Sequence, residues 1–130
     1  KMNVLSGEIE IINAGHENIM LLDESKNFEF IKADLPPIGI LKYPNEKMVI
    51  KRNINIKNKT FIVYSDGVTE GYLKNGQMLG VEGIQEIILN IKEINPKNII
   101  NNIVDTLNFD QAKLRDDITC LCININNSNY

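Results

Sequence analysis

The chain has 130 residues, with 14 Lys and Arg against 17 Asp and Glu, a net charge of −3, 43% hydrophobic residues and no tryptophan. That length is one domain or part of one, with enough apolar content to bury a core. The mild acidity excludes an electrostatic footprint for nucleic acid or an anionic membrane; no apolar run approaches the roughly 20 residues that cross a bilayer, and no charged-then-apolar leader precedes the first strand.

Val4 to Glu8 reads as a hairpin turn entering a strand from Ile9 to Asn13, where Ile9 and Ile11 alternate with Glu8 and Glu10 and leave one face wet. Asn13-Ala14-Gly15-His16 interrupts as a turn, and Ile19 to Leu22 resumes. Asp23 to Asn27 is a polar hairpin turn before Phe28 to Ile31, so the first third is expected to be an antiparallel meander. Leu35-Pro36-Pro37-Ile38-Gly39 is a connector, because two prolines remove ladder donors. Met48 to Ile56 alternates apolar and basic, and a turn over Lys57 to Lys59 hands over to the buried strand Phe61 to Tyr64. The basic spots Lys51-Arg52 and Lys57-Asn58-Lys59 read as a solvated face.

After Glu70 the hydrophobic period changes. Gly71 to Gln77 is a loop punctuated by Gly and Asn, and Ile84, Ile87, Ile88 and Ile91 then mark one face of a helix. Asn95-Pro96 stops it and starts another, since Asn caps and Pro suits the first helical position. Ile99, Ile100, Ile103, Val104 and Leu107 form the second stripe, and both stripes are expected to pack on a sheet. The loop Asp110 to Arg115 delivers Asp116, and Ile118 to Ile125 reads as a final buried strand. Cys120 and Cys122 share a face of that strand and are poorly placed to bridge each other, so they read as buried reduced thiols of a cytosolic protein. The class is α+β, strands first and helices later.

Chemistry concentrates in two acidic motifs, Ser65-Asp66-Gly67 after one buried strand and Arg115-Asp116-Asp117 before another. If those strands are antiparallel neighbours, the end of one lies beside the start of the other and the acids share a sheet edge. Carboxylates brought together repel unless one is protonated or a cation lies between them. One histidine and two cysteines make a nitrogen or sulfur cage hard to build, whereas oxygen ligands suit Mg²⁺ or Mn²⁺. Against this stands a purely local reading: Asp-Gly is a favoured turn pair, and Asp116-Asp117 a solvated loop end. His16 reads as a hydrogen-bonded turn residue and not as a general acid.

The string YSDGVTEG, Tyr64 to Gly71, resembles the signature of the bacterial branch of the metal-dependent type 2C serine/threonine protein phosphatases, which includes stage II sporulation protein E and the sigma-factor-regulator phosphatases. NAGH (Asn13 to His16), PPIGI (Pro36 to Ile40) and RDDITCLCI (Arg115 to Ile123) resemble further motifs of that group, in the family's order. The resemblance implies a four-layer α-β-β-α sandwich, of which residues 1–130 would form the carboxyl-terminal portion: antiparallel sheets with two helices packed on one side. It implies Asp66 and Asp116 as ligands to one of two Mn²⁺ or Mg²⁺ ions. Asp117 and Gly67 would support them from behind, Gly67 through its backbone. Nothing in these residues resembles the amino-terminal portion that carries the family's remaining Asp ligands, so the chain alone is expected to be weakly metal-binding and inactive. It is also expected to expose apolar sheet surface and to dimerise or aggregate. The implied activity is hydrolysis of phosphoserine or phosphothreonine on a bacterial regulatory protein of the anti-sigma-antagonist type, in the cytoplasm. A phosphatase-shaped domain that binds a partner without catalysis is the alternative.

Overall fold

The computed structural model describes residues 1–42, 49–107 and 116–125. Met48, the loop Asp110 to Arg115 and the polar tail Asn126 to Asn129 lie outside the described residues. Contacts divide the chain into one unit of Lys1–Phe61 with Asn124–Tyr130 and a second of Ile62–Ile123.

The first unit holds β1 (Glu8–Ile11), β2 (Ile19–Leu22), β3 (Phe28–Ile31) and β4 (Arg52–Asn55). β2 and β3 form the expected hairpin, with Met20 opposite Phe30. Its turn is held by Asp23, whose carboxylate accepts from Asn27 N at 2.8 Å and Asn27 Nδ2 at 3.0 Å. Those bonds keep the Asp23 carboxyl below the usual carboxylate range.

The expected meander fails at β1, which pairs antiparallel with β4, Ile9 opposite Ile54 and Ile11 opposite Arg52. Burial explains the choice. β1 alternates exposed Glu8 and Glu10 with buried Ile9 and Ile11, whereas all four residues of β2 are buried. A half-wet strand fits a partner that is also polar on one side, and β4 with Arg52, Asn53 and Asn55 is such a partner. Ahead of β1, Met2 bridges Ile9 across the 4–6 turn as the hairpin reading required.

Three of the four basic side chains in these spots pair with acids within this unit. Arg52 grips Asp34 with two bonds, Nε to Oδ2 at 2.6 Å and Nη2 to Oδ1 at 2.5 Å. Lys51 pairs with Glu10 at 3.7 Å and Lys59 with Glu29 at 3.2 Å. The turn and proline motifs also meet: Ala14 bridges Leu35, Asp34 N donates to Asn13 O at 3.1 Å, and a Cβ on Gly15 would lie 2.3 Å from Pro37. Buried Asn13 accepts from His16 N at 3.0 Å and donates to Glu17 O at 3.2 Å, so exposed His16 is a turn residue, as expected.

β5 (Thr60–Tyr64) ends inside the second unit, followed by α1 (Asp66–Thr69), α2 (Gly80–Asn90), α3 (Pro96–Thr106) and β6 (Cys120–Asn124). The two longer helices follow the periodicity in part, with Ile84 and Ile88 buried on α2 and Ile99 and Ile103 on α3, while Ile87 and Ile100 are half-buried and Val104 is exposed. Asn95 caps α3, its side chain accepting from Asn98 N at 2.9 Å with Pro96 behind it. The 71–78 loop is a small hairpin, Tyr72 opposite Met78, tied to the end of α3 through Leu73 and Leu107.

Three details depart from the sequence reading. The DGVT segment makes a full helical turn, so the described residues hold three helices where two were expected. β6 begins at Cys120, two residues later than expected. Among the described strands, the exposed large hydrophobic side chain is Leu121; of the others, Leu89 and Val104 lie on α2 and α3, and the rest, such as Leu5 and Ile38, in turns and connectors. Strand faces therefore show less apolar surface than expected. Among the described residues no helix is long and apolar enough to cross a membrane.

Candidate metal centre

Asp66 does not sit in a strand. It is the first residue of α1, two beyond the end of β5, and Asp116 lies four residues before β6. The two segments nonetheless meet, because β5 and β6 are hydrogen-bonded neighbours running in opposite directions. Ser65 N, just past the end of β5, donates to Thr119 O at 2.9 Å, just before β6. At the opposite end, Asn124 Nδ2 donates to Thr60 Oγ1 at 2.8 Å.

Two features close the gap that the ladder leaves beyond Ser65. The Ser65 hydroxyl donates to Asp117 O at 2.9 Å and accepts from Thr119 N at 3.0 Å. Buried Gly67 presents its α-carbon so closely that an added Cβ would lie 2.3 Å from Asp117 O and 3.4 Å from Asp116 O. Only glycine permits that approach. Gly71 serves a parallel purpose, since a Cβ there would meet Leu107 Cδ2 at 2.6 Å and Gly67 O at 2.9 Å. The spacing of glycines in YSDGVTEG thus records two close contacts made by one helical turn, with Val68 fully buried between them.

The acids themselves are exposed. Each is oriented by its own backbone: Asp66 Oδ1 accepts from Gly67 N at 2.9 Å, and Asp116 Oδ1 from Asp117 N at 2.7 Å. Among the described residues, no other hydrogen bond or ion pair engages either carboxylate. Carboxylate oxygens are hard donors, which fit Mg²⁺ or Mn²⁺ in kind. They do not complete a site in number, because no group of three or more His, Cys, Asp or Glu residues is placed to hold a metal among the described residues.

Cys120 and Cys122 take no part in this centre. Both are free, and burial pushes the Cys122 thiol up to about 12, with a smaller contribution from Cys120. The sequence reading missed the role of Ser65, which it treated only as part of the motif string. A serine preceding a helical turn signals an N-cap, yet Ser65 makes no side-chain capping bond to α1; its hydroxyl bonds instead to Asp117 O and Thr119 N.

Antiparallel sheets with helices are the fold of a type 2C phosphatase domain, and solved domains of that class superimpose on the chain. The phosphatase domain of the cell fate determinant SpoIIE from Bacillus subtilis, presoaked with Mn, matches with a TM-score of 0.69 and 17% identity, over 100% of this chain and 56% of that one. The SiaA-PP2C domain of Pseudomonas aeruginosa matches with a TM-score of 0.65 and 14% identity, over 91% of this chain and 46% of that one. Protein IcfG of Synechocystis is 24% identical over an alignment of 129 residues that covers 94% of this chain and 19% of that protein. The chain belongs to the Stage II sporulation protein E (SpoIIE) family, whose model matches residues 2–126. It spans 19% of the curated relative's length and about half of those solved phosphatase chains.

Proposed function

We propose that the chain is the carboxyl-terminal portion of a single type 2C phosphatase domain that removes phosphate from phosphoserine or phosphothreonine on a bacterial regulatory protein. The observation that carries this reading is the junction of the Asp66 and Asp116 segments through Ser65 and Gly67. Membership of the SpoIIE family supports it, as does a fold shared with phosphatase domains. By resemblance, the substrate is a phosphorylated anti-sigma antagonist and the compartment is the cytoplasm.

In this reading Asp66 and Asp116 hold a Mn²⁺ or Mg²⁺ ion with their carboxylate oxygens, and further acids come from a portion of the domain outside these 130 residues. When bound, a pair of such ions supplies an acidified water and neutralises the phosphate oxygens. The chain's own contribution is positional. The Gly67 and Asp117 amides fix one oxygen of each carboxylate, and Gly67 lets the α1 turn lie against the Asp117 backbone. Asp117 itself supports the arrangement from behind.

A second reading, a phosphatase-shaped domain that binds a partner without catalysis, is favoured by one observation: two carboxylates alone are too few charged ligands to offset dehydration of Mg²⁺. The full-length natural protein separates the two. Its hydrolysis of a generic phosphate ester should require Mn²⁺ and should be abolished by Asp66→Asn, with circular dichroism unchanged. Full activity in that variant contradicts the site; absence of Mn²⁺-dependent activity in the unsubstituted protein favours the scaffold.

A further inference from the structure

We infer that Ser65 is a positioning residue that sets the affinity of the centre for its metal by fixing the Asp116 segment against the α1 turn. The inference rests on the metal-site reading above and adds a determinant which that reading does not contain.

Residues 116–119 precede β6 and have no ladder of their own. Among the described residues, the hydrogen bonds that tie them to the rest of the chain are made by Ser65: one by its amide and two by its hydroxyl. The hydroxyl donates its one proton to Asp117 O and accepts from Thr119 N, on either side of Ile118. Its geometry runs counter to local preference. Ser65 stands at the N-cap of α1 with extended φ −79 and ψ 163, the conformation from which a serine ordinarily accepts from the helix's first amides, and it makes no such bond. Instead it joins the residue before Asp66 to the residue after Asp116. Both carboxylates are exposed, with one oxygen each held by a local amide, so their mutual placement depends on backbone placement. Loosening 116–119 would leave each carboxylate intact while widening the range of separations between them. A group that orients ligands without touching the ion typically changes metal affinity by about 10- to 100-fold when removed.

The test measures Mn²⁺ binding to the full-length protein by electron paramagnetic resonance of free Mn²⁺, alongside the Mn²⁺ dependence of phosphate-ester hydrolysis. Ser65→Ala should weaken Mn²⁺ binding by about tenfold, with kcat close to the unsubstituted value once Mn²⁺ saturates. Ser65→Thr, which keeps the hydroxyl, should restore binding. If Ser65→Ala does not fold, Ser65→Cys, of similar size with a weak donor, replaces it and should lie between the two. Unaltered Mn²⁺ affinity in the Ala or Cys variant overturns the inference, and so does a loss confined to kcat at saturating Mn²⁺. Asp66→Asn is run in parallel. If that variant still binds Mn²⁺ like the unsubstituted protein, the metal-site reading itself fails; if it does not and Ser65→Ala does, only the role of Ser65 fails.

Discussion

Gly67→Ala is the perturbation whose consequence the structure fixes most closely. An added Cβ would lie 2.3 Å from Asp117 O and 3.0 Å from Asp117 C, so it meets backbone and not the flexible end of a side chain. The shortfall from ordinary contact is about 1 Å. Either α1 or the 116–119 segment must retreat by that amount, and overpacking of this kind costs about 1–3 kcal/mol. Gly67 lies in a helical turn, so alanine regains up to about 1 kcal/mol of helix propensity. The net loss is about 1–2 kcal/mol, or a fall in Tm on the order of 5 °C for a domain of this size. Gly76→Ala serves as the comparison: its φ of 83 strains an alanine, but nothing lies within 4 Å of the added Cβ. Both variants should lose stability by differential scanning calorimetry, and Gly67→Ala alone should also weaken Mn²⁺ binding in the full-length protein. Gly67→Ala with unchanged Tm and unchanged Mn²⁺ affinity would refute the close approach on which the site depends.

Other consequences can be read from single contacts. Asn95→Ala removes the side-chain acceptor for Asn98 N and should cost about 1 kcal/mol in urea denaturation; a change under a few tenths would show that Pro96 alone starts α3. Asp34 is held below the ordinary carboxylate range by the Arg52 guanidinium. Its folded value is therefore the lower one, so its contribution to stability is present above about pH 4 and is lost as pH falls through that lowered value. The stability difference between the unsubstituted protein and Asp34→Asn should close on acidification, and a difference that widened would contradict the assignment. With Cys122 pushed up to about 12 and Cys120 raised by burial, native thiols should react with Ellman's reagent at pH 8 far more slowly than thiols in urea. Equal rates would show that β6 opens readily.

Much of this arrangement is legible in the residues because local chemistry decided it. Asn95-Pro96 caps a helix wherever it stands, and the Ile spacing of α2 and α3 survives into their buried faces. The β2–β3 hairpin is written in the polar run from Asp23 to Asn27. What escapes is decided by partners distant in sequence. The pairing of β1 with β4 depends on which strand shares a wet face, and the 40 residues between them give no sign of it. The helical turn at Asp66 depends on Gly67 and Gly71 finding close neighbours in Asp117 and Leu107. The two acidic segments could be picked out from their motifs, and the junction of their backbones anticipated from antiparallel strands. Ser65 could not, since a serine that caps a helix and a serine that staples two strands look the same in a string.

Asp66 and Asp116 are proposed to bind one ion together. A crystal structure of the full-length protein soaked in Mn²⁺, with anomalous data at the manganese edge, tests it most directly. A peak is expected about 2.1 Å from a carboxylate oxygen of each residue, with Asp117 behind them. A manganese site that touches neither acid, or only one of them, would contradict it.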